Sequence, residues 1–362
     1  FCNVVRWEFK DTTPFIRSRE FLWSETHNCF ETEEEAILDI DIMLNSYNDI
    51  IFRDLLALPT ILGTKTDMEK FNGSVLSRTI ECIIPNNGRG IQAATCHYLG
   101  TIFSKAFGIE YRTKENVLAN VHQTCHGLTT RTLGIMLMIH SDNKGLVLPP
   151  RVATIQVVVI PIKPKNATDI ELVNNYIASI VTDLKNKKVR VIIDNNDDDT
   201  MGFKCNKYEL QGVPIRLEIG LRDVQQGCFI MFRRDKLVKT KVLRDDGTII
   251  VNMLQEIHNN ILNVAKDKIC NTIVAVADRK SFRETIKNKK VCLINWCNTN
   301  MCEEKIKNKI GIKSFCIIDK KNNSNDESNN INSRIVSMLD AKTECIFCKQ
   351  PAIVSCLFGK SY

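Results

Sequence analysis

The sequence predicts a multidomain protein that combines α/β and α+β folds. Its 362 residues are enough for two or three domains, because one domain takes roughly 150 residues. Hairpin signals dominate before Pro149-Pro150, whereas strands and helices alternate after that point. Consecutive strands predict an antiparallel sheet, and alternation predicts a largely parallel one. We therefore expect one domain over 1–150, an α/β domain over 151–275 and a small α/β domain over 276–362.

The composition indicates a globular chain. Hydrophobic residues make up 44% and charged residues 25%, which excludes a disordered, collagen-like or single coiled-coil protein. The longest nearly continuous apolar stretch, 155–162, is far shorter than the roughly 20 residues that cross a bilayer. We therefore expect a soluble protein with no membrane partner. A net charge of +7 is compatible with a polyanionic partner such as nucleic acid.

The cysteines and the first residue bear on cellular location. Fifteen cysteines are an odd number and cannot all pair within the chain, which indicates a reducing compartment, and we expect a cytoplasmic protein. The chain begins with Phe1 and shows no signal-peptide pattern. We expect it to be truncated upstream.

Three elements are predicted in the first half. Thr32 and Glu35 form a capping box at the start of an amphipathic helix over 32–56. Two apolar stretches over 79–95 flank the turn 85–88, which predicts a β-hairpin. A second extended unit is predicted over 127–150.

The middle of the chain predicts a compact α/β domain with a largely parallel sheet. Its predicted elements are strands at 155–162, 189–194, 214–220 and 228–233, helices at 168–185 and 251–266, and a short helix that ends at Gly212.

The last ninety residues contain two cysteine pairs separated by a Lys- and Asn-rich segment, 320–333, that we expect to be disordered. Cys297 and Cys302 form one pair, and Cys345 and Cys348 form the other. Four thiolates in two close pairs suit a closed, tetrahedral and therefore structural Zn²⁺ site. The alternative is four unrelated reduced cysteines.

The N-terminal segment concentrates residues that bind nucleotides. Arg6-Trp7-Glu8 is followed, after a loop, by Arg17, Arg19 and Phe21. Alternation along two antiparallel strands lets two guanidiniums, a carboxylate and a ring face one ligand. Guanidiniums fit phosphate oxygens, and a ring stacks on a base. The segment thus predicts a nucleoside triphosphate site without a Gly-rich loop, the alternative being an ordinary solvated face.

This pattern, Arg-x-Glu, a loop and Arg-x-x-x-Phe, resembles the second signature motif of class II aminoacyl-tRNA synthetases. The whole chain resembles the prolyl-tRNA synthetases of the eukaryotic and archaeal type. The stretches that carry the resemblance are VVRWEFKDTTPFIRSREFLWSETH (4–27), EKFNG (69–73), NGRGIQAATCHYLG (87–100), GLTTRTLG (127–134), DNKGLVLPPRVA (142–153), YELQGVPIRLEIG (208–220) and LFGKSY (357–362).

The resemblance implies a partial class II catalytic domain with an antiparallel sheet and a set of ATP-binding residues. Arg6, Arg17 and Arg131 would bind the phosphates and act in catalysis. The adenosine would contact Glu8, Phe21, Gln92 and Thr129. Glu81 is the implied Mg²⁺ ligand.

The resemblance also implies a proline pocket formed by Trp23, His27, Phe71 and His97. Each of these residues alone is more typical of a core than of a pocket, so the prediction depends on the joint match.

The α/β domain over 151–275 resembles the family's anticodon-binding domain. Glu209 and Arg216 are the implied base contacts, with ordinary sheet-surface charges as the alternative. The family usually carries tryptophan where this chain has His126, which puts the wall near the adenosine in doubt. Cys205 and Tyr208 also depart from the family pattern.

The implied activity is ATP-dependent activation of L-proline and its transfer to tRNA(Pro), with ATP, Mg²⁺ and a structural Zn²⁺, in a homodimeric parent protein. The first class II motif and the Thr-x-Glu loop that grips the proline amine are missing from the sequence. We therefore expect the fragment alone to lack proline-dependent ATP–pyrophosphate exchange. The alternative function is a noncatalytic, RNA-binding or scaffold paralogue.

Overall fold

A computed structural model describes residues 1–9, 12–319, 331–339 and 344–362. The chain folds into two compact units, one of residues 1–53, 58–136 and 266–362 and one of residues 54–57 and 137–265. The division into three domains at 150 and 275 stays a prediction. Among the described helices, none is both long enough and apolar enough to cross a membrane.

The elements are numbered in chain order. The strands are β1 Cys2–Val5, β2 Glu20–Phe30, β3 Ile61–Thr64, β4 Leu76–Ile84, β5 Arg89–Gly100, β6 Glu110–Arg112, β7 Leu118–Asn120, β8 His122–Thr129, β9 Val157–Pro161, β10 Val191–Ile193, β11 Ile215–Ile219, β12 Cys228–Arg233, β13 Val238–Leu243, β14 Ile273–Ala275, β15 Val291–Trp296, β16 Lys313–Ile318 and β17 Val354–Ser361. The helices are α1 Glu33–Ser46, α2 Ile102–Phe107, α3 Arg131–His140, α4 Ala167–Asn186, α5 Met201–Leu210, α6 Leu221–Gln225, α7 Thr248–Thr272, α8 Arg279–Lys287, α9 Asn300–Ile310 and α10 Ile331–Val336.

A mixed sheet organises the first unit. Within the described residues it has ten strands in the order β1-β2-β8-β5-β4-β3-β16-β17-β15-β14. The strands from β1 to β3 in this order pair antiparallel, which confirms the antiparallel sheet that the sequence predicts.

The helix and the hairpin predicted in the first half are confirmed. Thr32 Oγ1 accepts a hydrogen bond from the Glu35 amide at 3.2 Å and caps α1, and the helix continues as a π-helical segment over Tyr47–Leu55. Strands β4 and β5 form the hairpin. Gly88 in its turn has φ +63°, and a Cβ there would meet the Lys289 carbonyl oxygen at 1.8 Å, so only glycine fits.

The prediction of an extended unit over 127–150 is wrong beyond Thr129. Residues 131–140 form α3, because Ile135, Met136 and Ile139 recur at helical spacing and are all buried. The apolar density of this stretch suits a strand or a helix equally, so composition did not separate the two.

The last part of the chain extends the same sheet. Strand β16 pairs with β3 at Ile317 and Thr64, and β17 pairs in parallel with β5 at Lys360 and Arg89. Most of the insert predicted to be disordered, residues 320–330, lies outside the described residues. Its last three residues begin α10, where the Asn332 side chain is buried and donates to the Leu62 carbonyl at 2.7 Å.

The second unit contains a five-stranded sheet in the order β10-β9-β11-β12-β13. Strands β10, β9 and β11 are parallel, as predicted, whereas β12 and β13 add an antiparallel hairpin. Strand β13 has no apolar pattern that would predict it, because it is an edge strand in which only Val242 is buried. Helices α4 and α7 cover the sheet through an apolar cluster that includes Ile177 and Ile257.

Candidate active site

A cavity of about 740 Å³ lies in the first unit, over strands β2, β5 and β8. All of the predicted ATP- and proline-binding residues line it. They are Arg6, Glu8, Arg17, Phe21, Trp23, His27, Phe71, Gln92, His97, Thr129 and Arg131. The structure therefore brings together side chains that are up to 125 positions apart in the sequence, between Arg6 and Arg131.

Strand β2 supplies one wall because alternate residues share a face of the sheet. Phe21, Trp23, Glu25 and His27 follow this spacing, and all four line the cavity. The Arg6 guanidinium lies 5.3 Å from the centre of the Phe21 ring and 5.9 Å from that of Trp23. The arginine is thus held over aromatic faces at the cavity wall.

Three arginines give the cavity a positive field. Arg131 follows β8, where its Nε donates to the Ile16 carbonyl at 2.9 Å and its Nη1 to the Gln92 carbonyl at 3.3 Å. Burial lowers the pKa of Arg131, and the nearby charges of Arg17 and Arg6 lower it further. Arginine remains charged at neutral pH. Three converging guanidiniums suit a polyphosphate, which would relieve their mutual repulsion.

Another part of the cavity contains an aromatic ring and an uncharged histidine. The rings of Phe71 and His97 lie 5.3 Å apart, and His97 Nδ1 lies 2.8 Å from the Ser77 hydroxyl. Burial lowers the pKa of His97 to about 4, with a further lowering by His126. The imidazole is therefore uncharged at neutral pH, and this end of the cavity suits a small apolar ligand.

We expect the stability of the protein to fall as the pH falls from about 6.5, the pKa of an unfolded histidine, towards about 4, that of folded His97. The unfolded chain binds this proton first, so stability is complete above the unfolded pKa and is lost on acidification. Urea unfolding from pH 7.5 to 4.5 measures the effect. The His97→Gln variant should show a shallower pH dependence, and an unchanged slope would contradict the assignment.

Two further side chains in this cavity were not predicted. Glu25 and Cys125 lie beside His27, with Cys125 Sγ 3.7 Å from Glu25 Oε1 and 3.7 Å from His27 Nε2. Burial raises the pKa of the Cys125 thiol to about 12, and the nearby Glu25 carboxylate contributes to this rise. This group has no signal in the sequence, because it depends on the cross-strand register that pairs His27 with Cys125.

His126 does not line the cavity. It is fully buried, and its Nε2 lies 2.7 Å from Asp39 Oδ2 on α1. Asp39 also accepts hydrogen bonds from Thr124 at 2.7 Å and Asn28 at 3.1 Å. Burial raises the pKa of Asp39, but these hydrogen bonds outweigh it and lower the pKa overall. His126, at the position where the family usually carries tryptophan, therefore joins the sheet to α1 through Asp39.

Replacing Asp39 by asparagine is expected to destabilise the protein by about 1–3 kcal/mol, because buried donors then lose a charged acceptor. Urea unfolding at pH 7.5 measures the change. The matched control is Asp41→Asn on the same helix, whose carboxylate is 46% exposed and lies 3.5 Å from Arg78. It should cost less than about 0.5 kcal/mol. Equal effects of the two substitutions would contradict the role of the buried carboxylate.

Glu81 has a different environment from that of a Mg²⁺ ligand. Its side chain is 2% exposed, and Oε1 lies 2.5 Å from Lys65 Nζ. The Thr79 hydroxyl donates to the same oxygen at 2.7 Å. Glu81 is absent from the cavity lining, whereas Lys65 belongs to it. The buried carboxylate thus neutralises a cavity lysine, and we do not retain it as a metal ligand.

The predicted anticodon contacts lie in the second unit. Arg216 is 4% exposed, donates to Glu218 Oε1 at 3.1 Å and lies 4.1 Å from the Phe232 ring centre. Glu209 is partly exposed, and its carbonyl accepts from Arg234 at 2.9 Å. Their contact with RNA stays a prediction. In this structure Arg216 is satisfied by protein groups, so a base would have to exchange with Glu218.

The four predicted zinc ligands form one cluster. Cys302 Sγ lies 3.8 Å from Cys345 Sγ, and Cys348 Sγ lies 3.4 Å from Cys297 Sγ. The Cys302 thiol donates to Cys345, which lowers the pKa of Cys345 and raises that of Cys302. Thiolates about 2.3 Å from a tetrahedral zinc lie roughly 3.8 Å apart. The donor set and its spacing therefore fit Zn²⁺.

Local backbone structure positions these four cysteines. Cys297 follows β15, and Cys302 lies in the first turns of α9. Cys345 and Cys348 share a turn that is closed by a hydrogen bond from the Lys349 amide to the Cys345 carbonyl at 3.0 Å. Arg279 donates to the Ile346 carbonyl at 3.3 Å and to the Phe347 carbonyl, which anchors this turn to α8.

Comparisons with known proteins agree with this geometry. Residues 1–140 match the family described as tRNA synthetase class II core domain (G, H, P, S and T), residues 156–252 match the anticodon binding domain, and residues 279–362 match the prolyl-tRNA synthetase C-terminal family.

Named relatives and solved structures cover most of the chain. The proline–tRNA ligase of Encephalitozoon cuniculi is 37% identical over 100% of this chain and 72% of its own length. Proline–tRNA ligase 2 of Clostridioides difficile is 40% identical over 88% of this chain and 65% of its own length. The prolyl-tRNA synthetase of Cryptosporidium parvum, complexed with L-proline and AMP, superposes with a TM-score of 0.90 at 40% identity, over 100% of this chain and 74% of that one. By sequence, by domain order and by structure, the chain belongs to the prolyl-tRNA synthetase family.

Proposed function

We propose that this chain forms the ATP-binding and anticodon-binding part of an enzyme that activates L-proline with ATP and transfers it to tRNA(Pro). The observation that carries the proposal is the cavity, which three arginines line together with the aromatic rings of Phe71 and His97. The complex of the Cryptosporidium parvum relative with L-proline and AMP supports both ligands.

The residues of this chain suit adenylate formation. The proline carboxylate attacks the α-phosphorus of ATP and forms prolyl-adenylate. The bond between the α-phosphorus and the bridging oxygen of the β-phosphate breaks, and pyrophosphate leaves. Arg6, Arg17 and Arg131 hold the phosphate oxygens and stabilise the charge that develops on them. Phe21 stacks on the adenine, and Glu8 accepts from its amine. Mg²⁺ bound to ATP would neutralise further phosphate charge.

The proline end of the cavity orients the second reactant. Trp23 and Phe71 contact the pyrrolidine ring, and neutral His97 adds no charge to this apolar end. Positioning two anions against each other supplies most of the rate, since the displacement needs little proton transfer. A noncatalytic scaffold needs neither the arginine set nor this pocket.

Proline-dependent ATP–pyrophosphate exchange tests the proposal. It is measured on the full polypeptide that the gene encodes, while ATP binding is measured on residues 1–362. We expect exchange with proline and none with alanine at equal concentration, together with ATP binding that Arg17→Ala weakens. ATP binding without any proline-dependent exchange would instead favour the noncatalytic alternative.

The remaining ligands and partners are part of the same proposal. Cys297, Cys302, Cys345 and Cys348 bind one structural Zn²⁺, which their spacing and burial support. The second unit binds the tRNA anticodon through Glu209 and Arg216. We further propose that the parent protein is a cytoplasmic homodimer, which sedimentation of the full polypeptide and fractionation of cells would test.

A further inference from the structure

Three side chains of different chemistry converge within the cavity, apart from the four-cysteine cluster. Glu25 and His27 are two residues apart on β2 and therefore share a face of the sheet. Cys125 on the neighbouring strand β8 lies directly opposite His27. A carboxylate, an imidazole and a thiol thus meet on two paired strands, and one ligand atom from each lies within 4.8 Å of the others.

The separations match the edges of a metal tetrahedron. Cys125 Sγ lies 3.7 Å from both Glu25 Oε1 and His27 Nε2, and His27 Nε2 lies 3.3 Å from Glu25 Oε2. Ligand atoms held 2.0–2.3 Å from a tetrahedral zinc lie roughly 3.3–3.8 Å apart. The two contacts of Glu25 use different oxygens, Oε1 towards Cys125 and Oε2 towards His27. A rotation of the Glu25 carboxylate, or binding through both oxygens, would place the three side chains around one ion.

We propose that Glu25, His27 and Cys125 bind a Zn²⁺ ion in the cavity. A thiolate and an imidazole select zinc over Mg²⁺ and Ca²⁺, which prefer oxygen ligands. The Glu25 carboxylate and the Cys125 thiolate each carry one negative charge, and together they neutralise the two positive charges of Zn²⁺. The occupied site therefore has no net charge. This site goes beyond the proposed function, although it shares His27 with the predicted proline pocket and lies in the same cavity. Metal content tests the site separately from proline activation.

The site differs from the four-cysteine cluster in being open. It offers three protein ligands, so the fourth position of a tetrahedral ion remains for water or for a small ligand in the cavity. The four-cysteine cluster fills all four positions with protein thiolates. Two zinc ions per chain are therefore expected, one closed and one accessible to ligands.

Zinc content measures the site directly. Residues 1–362 are equilibrated with buffered Zn²⁺ and analysed by mass spectrometry for metals. The wild-type chain should hold one zinc more than Cys125→Ser or His27→Gln. The affinity of the site should fall by more than about 100-fold in either variant, since loss of a hydrogen bond to a ligand alone costs 10- to 100-fold. The matched control is Cys29→Ser, which removes a thiol on β2, the strand of Glu25 and His27, that is not part of the group. It should retain the wild-type zinc content.

Co²⁺ provides a second readout, because a thiolate ligand gives a near-ultraviolet charge-transfer band. Cys125→Ser should lose the part of this band that Cys29→Ser retains, and Glu25→Gln should weaken Co²⁺ binding while leaving the thiolate in place. Circular dichroism verifies that each variant is folded. Equal zinc content in folded wild-type, Cys125→Ser and His27→Gln chains would overturn the proposal.

Discussion

Replacing Arg131 by alanine in the full polypeptide that the gene encodes is expected to lower kcat/KM for proline-dependent ATP–pyrophosphate exchange about 1000-fold. An arginine that neutralises transition-state charge on a transferred phosphoryl group contributes 10³–10⁵ to the rate, and a preorganised donor contributes 10²–10³. Arg131 is preorganised, because the Ile16 and Gln92 carbonyls fix its guanidinium. The loss should appear mainly in kcat, since the charge on the phosphate oxygens increases during the displacement.

The control for this prediction is Arg112→Ala. Arg112 is an exposed arginine of the same unit that does not line the cavity and hydrogen-bonds Asn116. Its exchange rate should stay within about twofold of wild type. Arg131→Lys separates charge from geometry, because lysine keeps the charge but cannot reproduce the forked contacts. A wild-type rate for Arg131→Ala would remove Arg131 from the mechanism.

Replacing Cys345 by serine is expected to abolish stoichiometric zinc binding at the four-cysteine cluster and to lower the thermal unfolding midpoint sharply. Cys345 is fully buried, and it forms one apolar cluster with Trp296, Phe282 and Phe358. Structural zinc contributes about 10–16 kcal/mol of binding free energy in small zinc modules, so loss of one ligand destabilises the module that surrounds it. Zinc content and calorimetry measure the two effects.

The effect should extend beyond the cluster. Phe358 lies on β17, and β17 pairs with β5, which carries Gln92 and His97 into the cavity. ATP binding should therefore weaken in Cys345→Ser. The control Cys2→Ser removes an exposed thiol and should leave zinc content and midpoint unchanged. An unchanged midpoint in zinc-free Cys345→Ser would show that the cluster does not stabilise the fold.

The grouping of the cavity residues could be predicted because they form short motifs, whereas their roles in ATP and proline binding stay a prediction. Arg6, Arg17 and Phe21 lie close together in the sequence, and each motif has its own local spacing. The structure places the whole predicted set around one cavity. Contacts that depend on the register of β2 and β8 could not be predicted, since nothing in the sequence indicates that Cys125 lies opposite His27.

Pairing between segments far apart in the sequence explains most other differences between the predicted and the observed structure. Glu81 occurs in a predicted hairpin, but its partner Lys65 becomes evident only when β3 and β4 are aligned. The continuation of the sheet from β3 to β16 joins segments about 250 residues apart. Such contacts leave no periodicity in either segment. The helix α3 was missed for a different reason, because a dense apolar run fits two periodicities equally.

The parallel pairing of β5 with β17 has a consequence for folding during synthesis. The N-terminal part of a chain leaves the ribosome first, and domains usually fold as units during synthesis. Strand β5 emerges early, but its neighbour β17 comprises residues 354–361. The sheet under the cavity therefore stays incomplete until nearly the whole of this sequence has been translated. Strands β4 and β8 already pair with most of β5, so the part left unpaired in the interval is its start at Arg89 and Gly90. A chain stalled before residue 354 should therefore be more sensitive to proteases near these two residues.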